Sequence, residues 1–124
     1  LRKGNQLTVK CFEKESQSEK VGVAATIKNR LHIVDYQSLP ENSNLKYANI
    51  NHMALSIDFL ADITAHAKLP FQWVQKKTEG ELVYKGEQFI TDITPLASKT
   101  SVLLVDREDS FAPIKTQADI NNLK

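Results

Sequence analysis

The chain has 124 residues, of which 41% are hydrophobic and 25% charged, and its 16 basic and 15 acidic side chains leave a formal net charge of +1. That length predicts a single domain with a real core, and so even a charge balance argues against nucleic-acid binding or attraction to an anionic membrane. The single cysteine, Cys11, excludes an internal disulfide framework and fits a reducing compartment. No apolar run approaches the ~20 residues of a membrane span, and no signal-peptide pattern opens the chain. Because it starts at Leu1 rather than at an initiator methionine, the chain is expected to be a piece of a longer protein.

Residues 7–13 alternate apolar and polar and read as a strand, with Val9 and Phe12 marking Cys11 as a structural thiol. Residues 14–20 are a polar loop. Residues 21–27 and 31–34 form a hairpin across Lys28-Asn29-Arg30, where asparagine tolerates a positive φ. Gly22, inside the first arm, allows either a bulge or the close approach of a ligand to the backbone. Residues 37–46 are a connection containing Pro40. Residues 47–50 make a short strand that ends at a helix capped by Asn51, with Met53, Ile57, Leu60 and Ala61 on its apolar face. Phe59 and Ile63 widen that face, and Leu69-Pro70 stops the helix.

Residues 71–74 and 82–84 read as strands flanking a turn at Thr78-Glu79-Gly80-Glu81. Residues 89–97 are ambiguous: Phe89, Ile93 and Leu96 keep a helical spacing that Thr91, Thr94 and Pro95 weaken. Residues 101–105, apolar without alternation, predict a strand covered on both faces. Residues 116–123 predict a terminal helix capped by Thr116. Strands alternating with helices give an α/β class with a mixed sheet and flanking helices.

The chemistry-bearing patterns are few. His32, His52, His66 and Cys11 lack zinc-ligand spacing, and His66 is better placed to complement a helix dipole. There is neither a Gly-x-x-x-x-Gly-Lys-Ser/Thr loop nor a Gly-x-Ser-x-Gly elbow. Glu108-Asp109 beside Arg107 reads as a solvated turn. The most informative stretch is Arg107-Glu108-Asp109-Ser110-Phe111-Ala112-Pro113-Ile114-Lys115, which follows the apolar strand. Lys115 stands beyond a strand end, where α/β proteins bind ligands, and its ammonium suits phosphate; it also reads as a surface lysine after a proline turn.

This segment resembles the Arg-Glu-x-x-Phe-x-Pro-Leu-Lys motif of eukaryotic-type UDP-sugar pyrophosphorylases, above all those making UDP-N-acetylglucosamine. Lys10-Cys11-Phe12-Glu13-Lys14 and Glu19-Lys20-Val21-Gly22-Val23 are similar to the family's Val-Glu-Lys…Pro-Val-Gly-Val stretch. Val34-Asp35-Tyr36 resembles its Val-Glu-Tyr, Ala48-Asn49-Ile50-Asn51-His52 its Gly-Asn-Ile-Ala-Asn, and Gln75-Lys76-Lys77 with Gly80-Glu81-Leu82 its Gln-Lys-Lys…Gly-x-Leu. The blocks run in family order over nearly the whole chain.

The resemblance implies the second half of a Rossmann-like nucleotidyltransferase domain, residues 1–124 being the part that faces the sugar phosphate. The full-length cytoplasmic enzyme would join UTP and a sugar 1-phosphate into a UDP-sugar with release of pyrophosphate, using Mg²⁺ held mainly outside this stretch. Carried over by position, Lys115 is the catalytic lysine at the phosphates, while Gly22, Asp35, Asn49 and Phe89 face the sugar. The family's Gly-rich nucleotide loop, uridine contacts and metal aspartate have no counterpart here, so the chain alone is expected to be inactive. Asp35 is one methylene shorter than the family glutamate, and Thr91 stands where a second aromatic belongs. The motif blocks put N-acetylglucosamine 1-phosphate first, and Thr116-Gln117-Ala118-Asp119-Ile120, which resembles the corresponding run of UDP-glucose pyrophosphorylases, keeps glucose 1-phosphate as second. The alternative is a non-catalytic α/β sugar- or nucleotide-binding module without the Gly-rich loop. Neither nucleic acid nor membrane is an expected partner, and the oligomeric state stays open.

Overall fold

The alternation of residues 7–13 decides the architecture. In β1 (Leu7–Glu13), Leu7, Val9 and Cys11 fall on one side and are fully buried, as is Phe12 near the strand's end. The structure, a computed structural model, describes residues 4–40, 42–112, 114 and 116–121. β1 lies between β4 (Tyr47–Leu55), to which it is antiparallel, and β7 (Thr100–Leu104), to which it is parallel. β2 (Val23–Ile27) and β3 (Arg30–Val34) form the expected hairpin, turning through Lys28 and Asn29 at φ 49° and 60°. β2 joins β4 at Val23–Ala48, which completes a five-stranded mixed sheet in the order β3-β2-β4-β1-β7.

One face of this sheet carries the core. Leu7, Val9, Cys11, Ala24 and Leu31 pack with Phe59, Ile93 and Ala97, and Met53, Leu55 and Ile63 border them. Phe59 comes from α1 (Ile57–His66), whose first turn is capped by Ser56: its hydroxyl accepts from the Phe59 N–H at 3.3 Å. Ile93 and Thr94 come from a 3-10 helix, Ile90–Leu96, which settles the ambiguous residues 89–97. Pro95, which has no N–H to donate and clashes with the preceding turn of an α-helix, stands inside this 3-10 helix.

Three expectations need correction. Asn51 does not cap a helix: β4 runs on through it to Leu55, and Met53 pairs with Val9 of β1 rather than lying on a helix. The pairing of residues 53–55 with β1 supplies ladder hydrogen bonds that a helical start there would forgo, and Ser56 is an equally good cap further on. The predicted helical face is accordingly rotated, with Ile57 84% exposed and Phe59 inside. The helix also ends earlier, at Ala67, whose N–H donates to the Ile63 carbonyl. Finally, β7 is not covered on both faces. It is the last strand of the sheet, and Leu103 and Leu104 are about half exposed, at 49% and 52%.

The remaining elements lie outside the five-stranded sheet. β5 (Gln72–Thr78) and β6 (Glu81–Glu87) form a separate two-stranded hairpin whose turn, Glu79-Gly80, has both φ values positive. α2 (Arg107–Ser110) is a single turn capped by Asp106, and α3 (Gln117–Asn121) follows Thr116. Helices are therefore few beside the sheet, but the class is mixed α/β as expected. No helix of the described residues is long and apolar enough to cross a membrane.

Candidate functional site

A cavity of about 440 Å³ opens where the hairpin β2–β3 leaves the sheet, and Gly22, Asp35, Asn49 and Phe89 all line it. Four different stretches of chain bring them there. Gly22 immediately precedes β2, and its carbonyl accepts from the Asn49 backbone N–H of β4 at 2.8 Å. A Cβ on Gly22 would stand 3.3 Å from Cγ2 of Ile33, so the close neighbour is the hairpin's own second arm. What packs against Gly22 is thus the chain itself, beside the cavity that the glycine lines.

Asp35 follows β3 and caps the 3-10 turn Tyr36–Ser38, Oδ1 accepting from the Gln37 N–H at 2.8 Å. Its Oδ2 accepts no hydrogen bond among the described residues. Asn49 is held by its neighbour two residues on: its Nδ2 donates to Oδ1 of Asn51 at 2.8 Å, and its Oδ1 accepts from the Asn51 N–H at 3.3 Å. Asn51 sits at φ 58° where the β1–β4 register slips between Val9 and Cys11, and this irregularity aims both amides into one recess. Phe89 leads into the 3-10 helix, from which Ile90, Thr91 and Asp92 form the opposite wall. Gln72 of β5 joins them, its Nε2 donating to Oδ2 of Asp92 at 3.1 Å.

The lining defines what the cavity can hold. Two carboxylates, three side-chain amides and two hydroxyls (Ser38 and Thr91) alternate with Ile33, Val34, Phe89 and Ile90. Among the described lining residues there is no lysine or arginine, so a bare phosphate would face two carboxylates without a counter-charge. Carboxylates and amides around an aromatic face suit a neutral polyhydroxylated ring, and the volume falls within the usual ~300–1,000 Å³ of small-molecule sites. Asn51, Asp92 and Gln72 were missed by the sequence reading. An Asn-x-Asn spacing in a strand places both side chains on one face, the signal that could have found Asn51.

Lys115 and Pro113 lie outside the described residues. At the start of their motif Glu108 and Asp109 are exposed, as expected of a solvated turn, whereas Arg107 beside them is packed. Its guanidinium lies 4.5 Å from the ring centroid of Phe12 and 5.6 Å from that of Phe111, and the two rings are 4.9 Å apart. Nη1 pairs with Glu19 at 3.2 Å and Nε with Glu15 at 3.5 Å. The segment leading to Lys115 is thus clamped to β1 and to the loop that runs into Gly22.

Cys11 and His66 serve structure. Burial pushes the Cys11 thiol up to about 11, so it stays protonated and unreactive at neutral pH. His66 sits in the last turn of α1, with Nδ1 3.1 Å from both the backbone carbonyl and the carboxylate of Asp62. Among the described residues no group of three or more His, Cys, Asp or Glu side chains is arranged to hold a metal ion.

Fold and cavity together define an α/β protein with a carbohydrate-sized polar recess beside a mixed sheet. No protein-family model matches the chain. Among solved structures, it is similar to an Entamoeba histolytica protein provisionally named a UDP-N-acetylglucosamine pyrophosphorylase, with a TM-score of 0.77 and 25% identity over 93% of this chain and 34% of that one. It is similar also to the UDP-N-acetylglucosamine pyrophosphorylase of Trypanosoma brucei, solved with an inhibitor, at a TM-score of 0.72 and 20% identity over 96% of this chain and 29% of that one. A UDP-glucose phosphorylase of Trypanosoma brucei matches with a TM-score of 0.76 and 16% identity over 98% of this chain and 31% of that one. The resemblance to UDP-sugar pyrophosphorylases is borne out in the fold, and the chain spans about a third of the length of the structures it matches.

Proposed function

We propose that this chain is the sugar-facing part of a cytoplasmic uridylyltransferase, which as a whole forms a UDP-sugar and pyrophosphate from UTP and a sugar 1-phosphate. The observation that carries this reading is convergence: Gly22, Asp35, Asn49 and Phe89, far apart in sequence, line one cavity of about 440 Å³. Asp35 accepts sugar hydroxyls through Oδ2, Asn49 offers an amide already oriented by Asn51, and Phe89 covers an apolar ring face. The described lining residues supply no cation for the phosphate, and that role falls to Lys115, at the end of the segment anchored by Arg107 and Phe111.

In such a transfer, the sugar phosphate oxygen attacks the α-phosphorus of UTP. Catalysis rests on holding the two phosphates in line and stabilising charge between them. The contribution of this chain is to orient the sugar and present one ammonium. The described residues provide no cage for Mg²⁺, which would be held by groups elsewhere in the enzyme. N-Acetylglucosamine 1-phosphate is placed first and glucose 1-phosphate second on the overall resemblance, although Thr91, standing where the resembling enzymes carry an aromatic ring, speaks for the second.

The test is an NMR titration of the isolated chain with both sugar 1-phosphates, alongside an assay for UDP-sugar formation from UTP with Mg²⁺. The amides of Gly22, Asn49, Phe89 and Asp92 should shift together, while no UDP-sugar forms. Turnover by the isolated chain would refute its incompleteness, and sugar-phosphate shifts away from these four residues would refute the site.

A further inference from the structure

A second polar recess, of about 470 Å³, lies at the opposite end of the β2–β3 hairpin from the sugar-sized cavity. Gly22, Ile33 and Val34 at the open end line the first, whereas Thr26, Asn29 and Arg30 at the turn end line the second. Four to five strand residues at ~3.4 Å each separate the two by roughly 15 Å. The other wall is the stretch from Ser98 to Val102.

The charge of this recess is one-sided. Among the described residues that line it, Arg30 and Lys99 are the charged ones, and no carboxylate is present. Neither forms an ion pair among the described residues, although the chain as a whole is nearly neutral. Two uncompensated cations in a concave surface concentrate positive potential there.

The backbone carrying both cations is held in place. Oε1 of Gln6 accepts from the Ser98 N–H at 2.7 Å, the Ser98 hydroxyl at 2.8 Å and the Lys99 N–H at 3.3 Å. Nδ2 of Asn5 donates to the Ser101 hydroxyl at 2.8 Å, which also shares a hydrogen bond of 2.8 Å with Thr8. On the facing side, the tight turn through Lys28 and Asn29 fixes the start of β3 at Arg30.

We infer that this recess binds the phosphate group of a small phosphorylated molecule. A planar guanidinium, a compact ammonium and the hydroxyls of Thr26 and Thr100 match the several acceptor oxygens of a tetrahedral dianion better than a flat carboxylate. The site is independent of the sugar cavity and stands whether or not the proposed transfer is correct.

The experiment is an NMR titration of the isotopically labelled chain at constant ionic strength with inorganic phosphate, glycerol phosphate, sulfate and sodium chloride. Saturable shifts are expected at Arg30, Ser98, Thr100 and Ser101 with phosphate, while Gly22 and Asn49 stay in place. Arg30→Gln and Lys99→Gln should each weaken binding roughly tenfold, the usual worth of one charge-assisted contact. Both positions are exposed, so the rest of the spectrum should be unchanged. Tighter binding of glycerol phosphate identifies an ester as ligand, and equal or weaker binding identifies free phosphate. Shifts that sodium chloride reproduces, or an affinity unaltered in the double substitution, would overturn the site.

Discussion

Arg107 shows how one side chain can serve a residue several positions away. A guanidinium packed against the Phe12–Phe111 ring pair, and paired with Glu15 and Glu19, anchors the segment that ends at Lys115. On the proposed function, the Lys115 ammonium stabilises charge on the transferring phosphates, an interaction stronger in the transition state than in the ground state. Lys115→Ala in the complete enzyme should therefore lower kcat by about a hundredfold, equivalent to roughly 3 kcal/mol, while changing the sugar-phosphate KM much less. Lys115→Arg should also be poor, because a planar fork does not reproduce a point charge. Lys76→Ala, on the exposed β5–β6 hairpin, should stay close to wild type. Steady-state kinetics decides: near-wild-type kcat in Lys115→Ala would make this lysine an ordinary surface residue.

At the scale of elements, β4 is the informative case. Its irregularity at Asn51 lets one strand pair with β1 on both sides of the slip while turning Asn49 toward the cavity. Left-handed backbone at Asn51 costs asparagine little and most other residues about 1 kcal/mol. Asn51→Gly should therefore remain within a few tenths of a kcal/mol of wild type, and Asn51→Ala should lose about 1 kcal/mol, measured by urea denaturation. Equal stability of the two variants would show that the φ of 58° carries no strain. The same position shows where sequence stops being legible. Asparagine favours both a helix cap and a left-handed strand irregularity, and only the long-range pairing of Val9 with Met53 selects the second. The β2–β3 hairpin was readable because its turn residues and its two apolar arms are local. Gly22, Asp35 and Asn49 were readable because each lies in a block that carries the resemblance, and Phe89 was carried over by position, whereas Asp92 and Gln72 meet only through a 3-10 helix that weak periodicity left undecided.

At the scale of the whole molecule, the described residues leave apolar surface open. β7 is an edge strand with Leu103 and Leu104 half exposed, and no strand among the described residues pairs with its outer side. Trp73 is 71% exposed on a hairpin that stands apart from the five-stranded sheet. An open, apolar edge offers unpaired N–H and C=O groups and attracts another strand. The purified chain should therefore self-associate with rising concentration, seen as a growing weight-average mass in sedimentation equilibrium. Leu103→Lys adds a charge to that edge and should shift the distribution toward monomer. Because Leu103 is half exposed, the substitution should change folding stability by only about 0.5 kcal/mol. The control is Leu60→Lys, on the similarly exposed surface of α1 and away from the edge, which should leave the mass distribution unchanged. A chain that stays monomeric across the accessible range, or one that responds equally to both substitutions, would show that β7 is not the surface responsible.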